Sequence, residues 1–170
     1  MSSFNINQIL NFLFLIALQV LVLDNVELHR LVRPLIYPLI ILLLPIAMPG
    51  ALVIILSMVL GLVIDVFNDT LGLHASACVF MAFCRPFVLS IFRPRGGYEQ
   101  FAMPSYQKLG LSWFLRYVGV SIFLFNAFFF LVEAFNFRFI HITFFKIILS
   151  TFFCLLLIMI HQMLFARTKV

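Results

Sequence analysis

From position 51 to position 67 the chain carries one charged residue, Asp65, and the same sparseness of charge recurs along most of its length. Six apolar runs can be traced, at 4–23, 34–48, 51–67, 73–92, 111–133 and 139–165. A helix that crosses a bilayer needs about 20 apolar residues, with about 17–25 tolerated. The connectors are short, and only 93–110 is long enough to be a loop. Apolar residues are 65% of the 170 and charged residues 10%. A soluble domain of this size could not hide so much apolar surface, because its core is finite. The runs therefore predict an all-α, polytopic membrane protein: one domain over 1–170, with six transmembrane helices in a single bundle.

The second run is unlike the others. It is short, it contains Pro38 and Pro45, and Pro34 and Pro49-Gly50 bracket it. Each interior proline removes a backbone hydrogen bond and collides with the preceding turn. In lipid the carbonyls so freed must find partners on neighbouring helices or water. A bent or partly broken helix is expected here. The plainer form is a kinked packing helix; the sharper one is a discontinuous helix bordering a cavity.

Charge sets the expected orientation. No Lys or Arg precedes the first run, and Ala17-Leu18-Gln19 lacks a small-x-small cleavage pattern, so the first segment is expected to stay as an anchor. With six spans the termini share a side. That side would hold Arg85, Arg93, Arg95, Lys108, Arg116, Arg167 and Lys169, against Arg30, Arg33, Arg138 and Lys146 on the other. Seven against four places both termini in the cytoplasm by the positive-inside rule. The basic residues are spread over connectors and helix ends, with no aromatic-interleaved patch, which argues against nucleic acid as a partner.

Within the runs, polar and small residues fall at helical spacing. Asn7, Asn11 and Gln19 mark the first run; Ser57, Gly61, Asp65 and Asn68 or Asp69 the third; His74, Cys78, Ala82 and Arg85 the fourth. Arg116, Gly119, Asn126 and Glu133 follow in the fifth, and Lys146, Ser150, Cys154 and His161 in the sixth. Such seams let helices approach and bond across their interfaces. They serve as packing glue, or additionally line a cavity or a partner groove. A carboxylate at a helix centre costs about 2.5–3.5 kcal/mol on insertion scales, and less near the interface, so Asp65 needs a partner. The expected topology puts Asp65 and Asp69 near the outer face, where Arg33, Arg138 or Lys146 is the expected counter-charge. Either this is structural ion pairing, or the outer cluster docks an extracytoplasmic partner.

No catalytic pattern emerges. His29, His74, His141 and His161 form no metalloprotease-type helix pair, and Arg95-Gly96-Gly97-Tyr98 is a turn signal rather than a phosphate cradle. Cys78, Cys84 and Cys154 fit no metal spacing and read as small buried residues. The expectation is a protein without catalytic residues, metal or cofactor.

Several stretches resemble the MreD family of rod shape-determining proteins, in its Bacteroidetes-type form. They are Arg33-Pro34, Gly61-x-x-x-Asp65 and Leu71-Gly72-Leu73-His74-Ala75, then Phe83-Cys84-Arg85-Pro86 and Ser90-Ile91-Phe92-Arg93-Pro94-Arg95. Tyr98-Glu99, Trp113-Phe114-Leu115-Arg116-Tyr117 and Glu133-Ala134-Phe135 extend the likeness over nearly the whole chain. The resemblance implies a non-enzymatic inner-membrane subunit of the cell-wall elongation machinery. Its partner would be MreC, and it would help connect MreB filaments to the peptidoglycan transglycosylase and transpeptidase. The family is also similar in fold to the S components of energy-coupling-factor transporters, six-helix bundles with a pocket open to the outside. The alternative function is therefore a solute-binding transporter subunit, although no vitamin-binding cluster is evident. Candidate interaction residues are Arg33, Pro34, Ser57, Gly61, Asp65, Asp69, Gly72, His74, Arg85, Pro86, Arg116, Glu133 and Lys146.

Overall fold

Apolar runs without an interior proline wind into helix, the one local form that satisfies backbone donors and acceptors where water is absent. The computed structural model describes residues 6–23, 32–98, 103–134 and 140–166. Along them lie α1 (Ile6–Leu18) with a π-helical turn (Gln19–Leu23), α2 (Leu39–Leu42), α3 (Gly50–Asn68), α4 (Leu73–Ile91), α5 (Tyr106–Leu109), α6 (Leu111–Ala134) and α7 (Ile140–Ala166). No strand occurs among the described residues. The protein is all-helical, and α3, α4, α6 and α7 are long and apolar enough to cross a membrane.

Hydropathy alone suggested six such helices, and two runs differ. Of the first run, the described residues form α1 and its π-helical turn, whose fully described apolar stretch, Leu10–Leu23, is shorter than a span. The second does not form a helix over 34–48: the backbone is non-helical up to Pro38, winds through the single turn of α2, and leaves helix again before Gly50. Four prolines explain the failure, since each denies a donor to an already short stretch. Pro86 is tolerated inside α4 because that helix has 19 residues to carry it and the ring faces outward.

α3 and α4 form an antiparallel hairpin, α4 packs against α6, and α6 against α7. α1 reaches α7 through Asn11 Oδ1, 2.9 Å from His161 Nε2, with the Phe14 ring stacked on the same imidazole. The broken segment lies inside this arrangement. Leu35, Tyr37, Leu39, Ile41 and Leu42 are 0–1% exposed and form one core with Ile64, Phe114, Tyr117, Phe125 and Phe129. Broad Leu, Ile, Val and Phe faces of α3 and α7 point away from it, as lipid-facing surfaces do.

Candidate functional site

A non-helical backbone inside an apolar bundle raises an accounting question: where do its polar groups go? Side chains from the surrounding helices answer it. The Arg33 N–H donates to Ser150 Oγ at 3.2 Å. Gln19, at the start of the π-helical turn, accepts from the Ile36 N–H at 2.9 Å and donates to the Pro34 carbonyl at 3.2 Å. Cys154 Sγ accepts from the Leu35 N–H at 3.2 Å and also faces the Leu35 carbonyl at 3.3 Å. Further along, the Tyr117 hydroxyl donates to the Leu42 carbonyl at 3.2 Å. The Arg85 guanidinium donates to the Leu44 and Pro45 carbonyls, and its Nε donates to the Tyr117 oxygen at 3.1 Å. Arg85 and Tyr117 are buried, so these bonds form in a low dielectric where leaving them unmade is expensive.

The segment runs along the bundle rather than across it. Arg33 contacts Glu133 at the end of α6, and Leu42 contacts Tyr117 sixteen positions earlier on that helix. At 1.5 Å per residue that separation is about 24 Å. Midway, the Tyr37 hydroxyl lies 2.7 Å from His74 Nδ1, with Phe129 and Phe125 packed around the two rings.

The third-run seam has a different use from the one expected. Asp65 Oδ1 accepts from the His74 N–H at 3.0 Å and from the Thr70 hydroxyl, and Oδ2 accepts from the Ala75 N–H at 2.9 Å. These amides open α4, whose first N–H groups have no partner in their own helix and carry the positive end of its dipole. Asp65 thus caps the next helix across the hairpin. Four residues earlier, Gly61 lets that helix end come close: a Cβ there would overlap Ala75 Cα and sit 2.6 Å from the Ala75 nitrogen. Gly-x-x-x-Asp puts both residues on one face of α3, the glycine giving room and the carboxylate taking the amides. The intervening turn is left-handed at Asp69 (φ 52°) and Gly72 (φ 83°). Ser57, one turn before Gly61, turns back to bond the Val53 carbonyl at 2.6 Å.

The counter-charge expectation is therefore corrected for Arg33 and Lys146. Among the described residues Asp65 has no cationic partner. Arg33 instead pairs with Glu133 at 3.3 Å, bonds Asn68 Oδ1 at 3.3 Å, and lies over the Phe129 ring. Lys146 is half-buried and makes no ion pair among the described residues. Arg138, with Asp24, Glu27, His29 and Arg30, lies outside the described residues. Amides and a hydroxyl satisfy this carboxylate better than a distant cation would, because three short bonds converge on it.

The other expected positions divide. Pro34, His74 and Arg85 join the buried segment's contacts; Glu133 and Asp69 lie at the exposed end where α3 and α6 finish. Pro86 faces outward beside the inward Arg85. Arg116 does not join the α6 seam; it is exposed and its Nε donates to the Ser112 carbonyl of its own helix. The inward face of α6 is instead built on Phe114, Tyr117, Ser121, Phe125, Asn126 and Phe129. Neither Tyr37 nor Tyr117 stands on an expected polar seam, because a phenol ring is apolar over most of its surface. A phenol inside a spanning run always needs a hydroxyl partner, and that signal was present. No group of His, Cys, Asp and Glu able to hold a metal gathers among the described residues.

Two changes at Asp65 separate its roles. Asp65→Ala should leave two amides and a hydroxyl unpartnered and destabilise by about 2–4 kcal/mol, whereas Asp65→Asn, keeping one oxygen, should cost less. Thermal unfolding in detergent reads both. A double-mutant cycle should couple Asp65 to Thr70 and not to Lys146; coupling to Lys146 would restore the ion-pair account.

Compared with known proteins, the chain matches no family model, no curated protein and no solved structure.

Proposed function

We propose that the protein is a non-enzymatic scaffold subunit of a bacterial cell-wall elongation complex, of the MreD type. In this reading it is a multi-pass protein of the inner membrane with both termini in the cytoplasm. α1 and the buried segment supply the two crossings beyond the four long helices, giving the six passes of an S-component-like bundle. MreC is the direct partner, with MreB filaments and the peptidoglycan transglycosylase and transpeptidase further out in the same assembly. Support comes from the residues that carry the resemblance. Arg33-Pro34, Gly61, Asp65, Gly72, His74 and Arg85 all act in one framework, holding the buried segment or the α3–α4 hairpin.

One observation favours the scaffold over a solute-binding subunit. The middle of the bundle is occupied by the chain itself, with Leu35, Tyr37, Leu39 and Leu42 fully enclosed. Gln19, Arg85, Ser150 and Cys154 of the polar seams point at this backbone. A solute would have to displace it.

The reading is tested by purifying the tagged protein from its native host in mild detergent and identifying what accompanies it. Enrichment of an MreC-type protein, together with rounded or widened cells on depletion, is the expected outcome. Recovery of a transporter ATPase with normal cell shape would refute it. Orientation has its own test, in a background with Cys78 and Cys84 changed to Ala and Cys154 to Ser. Cysteines at the exposed positions Leu71 and Gly96 should label from opposite sides with an impermeant reagent, Leu71 from outside. Labelling of Gly96 in intact spheroplasts would invert the topology.

A further inference from the structure

We propose that the end of the bundle carrying Arg93, Arg95, Lys108 and Arg116 is a docking surface for the headgroups of anionic phospholipids. The inference goes beyond the scaffold reading and needs only that the four long helices cross a bilayer.

All four side chains are exposed, and none forms an ion pair among the described residues. Their neighbourhood contains little negative charge. Between Thr70 and Glu133 the sequence holds one acidic residue, Glu99, while Asp65, Asp69 and Glu133 lie toward the opposite end. Arg85 also belongs to this half, but it is buried and its guanidinium is committed to backbone carbonyls. Among the described residues, the charge that remains available at this end is outward and of one sign.

The aromatic residues fix the depth. Tyr98, Tyr106 and Trp113 are half-buried at this level, where amphipathic rings sit at a membrane–water boundary. The polar tips of Trp113 and Tyr98 also take carbonyls that would otherwise attract the arginines. Trp113 Nε1 donates to the Phe92 carbonyl at 2.6 Å, and the Tyr98 hydroxyl donates to the Leu89 carbonyl at 2.8 Å. Burial pushes the Tyr98 phenol up from its ordinary value, outweighing Trp113 and Arg93, so it remains a donor. With the Leu89 and Phe92 carbonyls taken in this way, less is left at the helix C-terminus to draw Arg93 and Arg95 back, as basic residues commonly are. Arg116 uses only Nε on its own helix, which leaves its two terminal nitrogens to form the planar fork that matches a phosphate.

Cations at headgroup depth, without carboxylate partners among the described residues, complement the phosphodiesters of an anionic leaflet. A soluble acidic protein would meet the same charges but could not reach past the aromatic ring to the apolar faces below. The lipid supplies both, with its phosphate at the rim and its chains along the exposed Phe83, Phe87 and Ile91 of α4.

The test uses the full chain in detergent, incubated with equal amounts of phosphatidylglycerol and phosphatidylcholine of identical acyl chains and examined by native mass spectrometry. Phosphatidylglycerol adducts should exceed phosphatidylcholine adducts by roughly tenfold, and the excess should shrink as salt is raised. The variant R93Q/R95Q/K108Q/R116Q should bind the two lipids equally, while Lys146→Gln keeps the preference. Inorganic phosphate should not displace the bound lipid. Equal occupancy in the unaltered protein, or a preference that survives the fourfold change, would overturn the proposal. So would displacement by phosphate alone, which marks a free-anion site, or displacement by an acidic peptide, which marks a protein interface. If the fourfold variant does not fold, the headgroup and salt dependence of the unaltered protein decides.

Discussion

Gly61→Leu is expected to abolish recovery of a folded monodisperse protein, and Gly61→Ala alone to cost about 3–5 kcal/mol. Overpacking a tight contact costs about 1–3 kcal/mol, and here the colliding atoms are backbone. A Cβ would fall 2.6 Å from the Ala75 nitrogen and 2.8 Å from the His74 carbonyl oxygen, with no flexible side chain able to yield. α4 would have to back away, and in doing so would pull its first amides off Asp65. Each lost bond to a charged acceptor adds about 1.5–3 kcal/mol. Leu56→Ile, on the outward face of α3, is the control and should change little. Fluorescence-detected size exclusion and thermal unfolding in detergent measure both. Equal behaviour of the Ala variant and the control would show that the hairpin is looser than described.

The second large effect is expected at Arg85. Arg85→Met keeps volume and removes the guanidinium, leaving the Leu44 carbonyl and one side of the Tyr117 hydroxyl without partners and the Pro45 carbonyl with the Met48 N–H alone. An orphaned buried acceptor costs about 1–3 kcal/mol and the two half-lost bonds add to it, so a loss of about 2–4 kcal/mol is expected. Arg85→Lys should fall between, because a single ammonium cannot reach two carbonyls and a phenol in the fixed geometry of the fork. Arg116→Gln, at an exposed site, should stay within about 0.5 kcal/mol. A loss confined to Arg85→Met and absent from Arg85→Lys would mean that charge alone matters there.

These two sites also show what could be read from the chain and what could not. The membrane class, the long helices and the helical seams follow from apolar runs and 3.6-residue spacing, which are local properties. The closeness of Gly61 to its neighbour was legible for the same reason, since a glycine at seam spacing has few other uses. The partner of Asp65 was not, because the unpaired amides of the helix start at His74 and Ala75 carry no side-chain signal in the sequence. Nor was Arg85 legible as the anchor of a carbonyl cluster. Its partners lie about forty positions away, in a run whose prolines announced a break without saying where the chain would go. The π-helical turn at Gln19 and the thiol of Cys154 likewise acquire meaning only once that broken backbone lies beside them. Arg116 was misassigned because spacings of three and seven drift around a helix when extended over two turns or more.

The most direct measurement is hydrogen–deuterium exchange of the protein in lipid nanodiscs, followed over residues 33–48. If the segment is enclosed and its amides are held by Gln19, Ser150 and Cys154 and by the turn of α2, its exchange should be slow, comparable to α4 and α6. Arg85→Met should then accelerate exchange at 39–48 before it affects α6. Exchange of 33–48 in the unaltered protein as fast as that of the 93–98 turn would contradict the enclosed segment. It would also remove the observation that favours a filled scaffold over a solute-binding bundle.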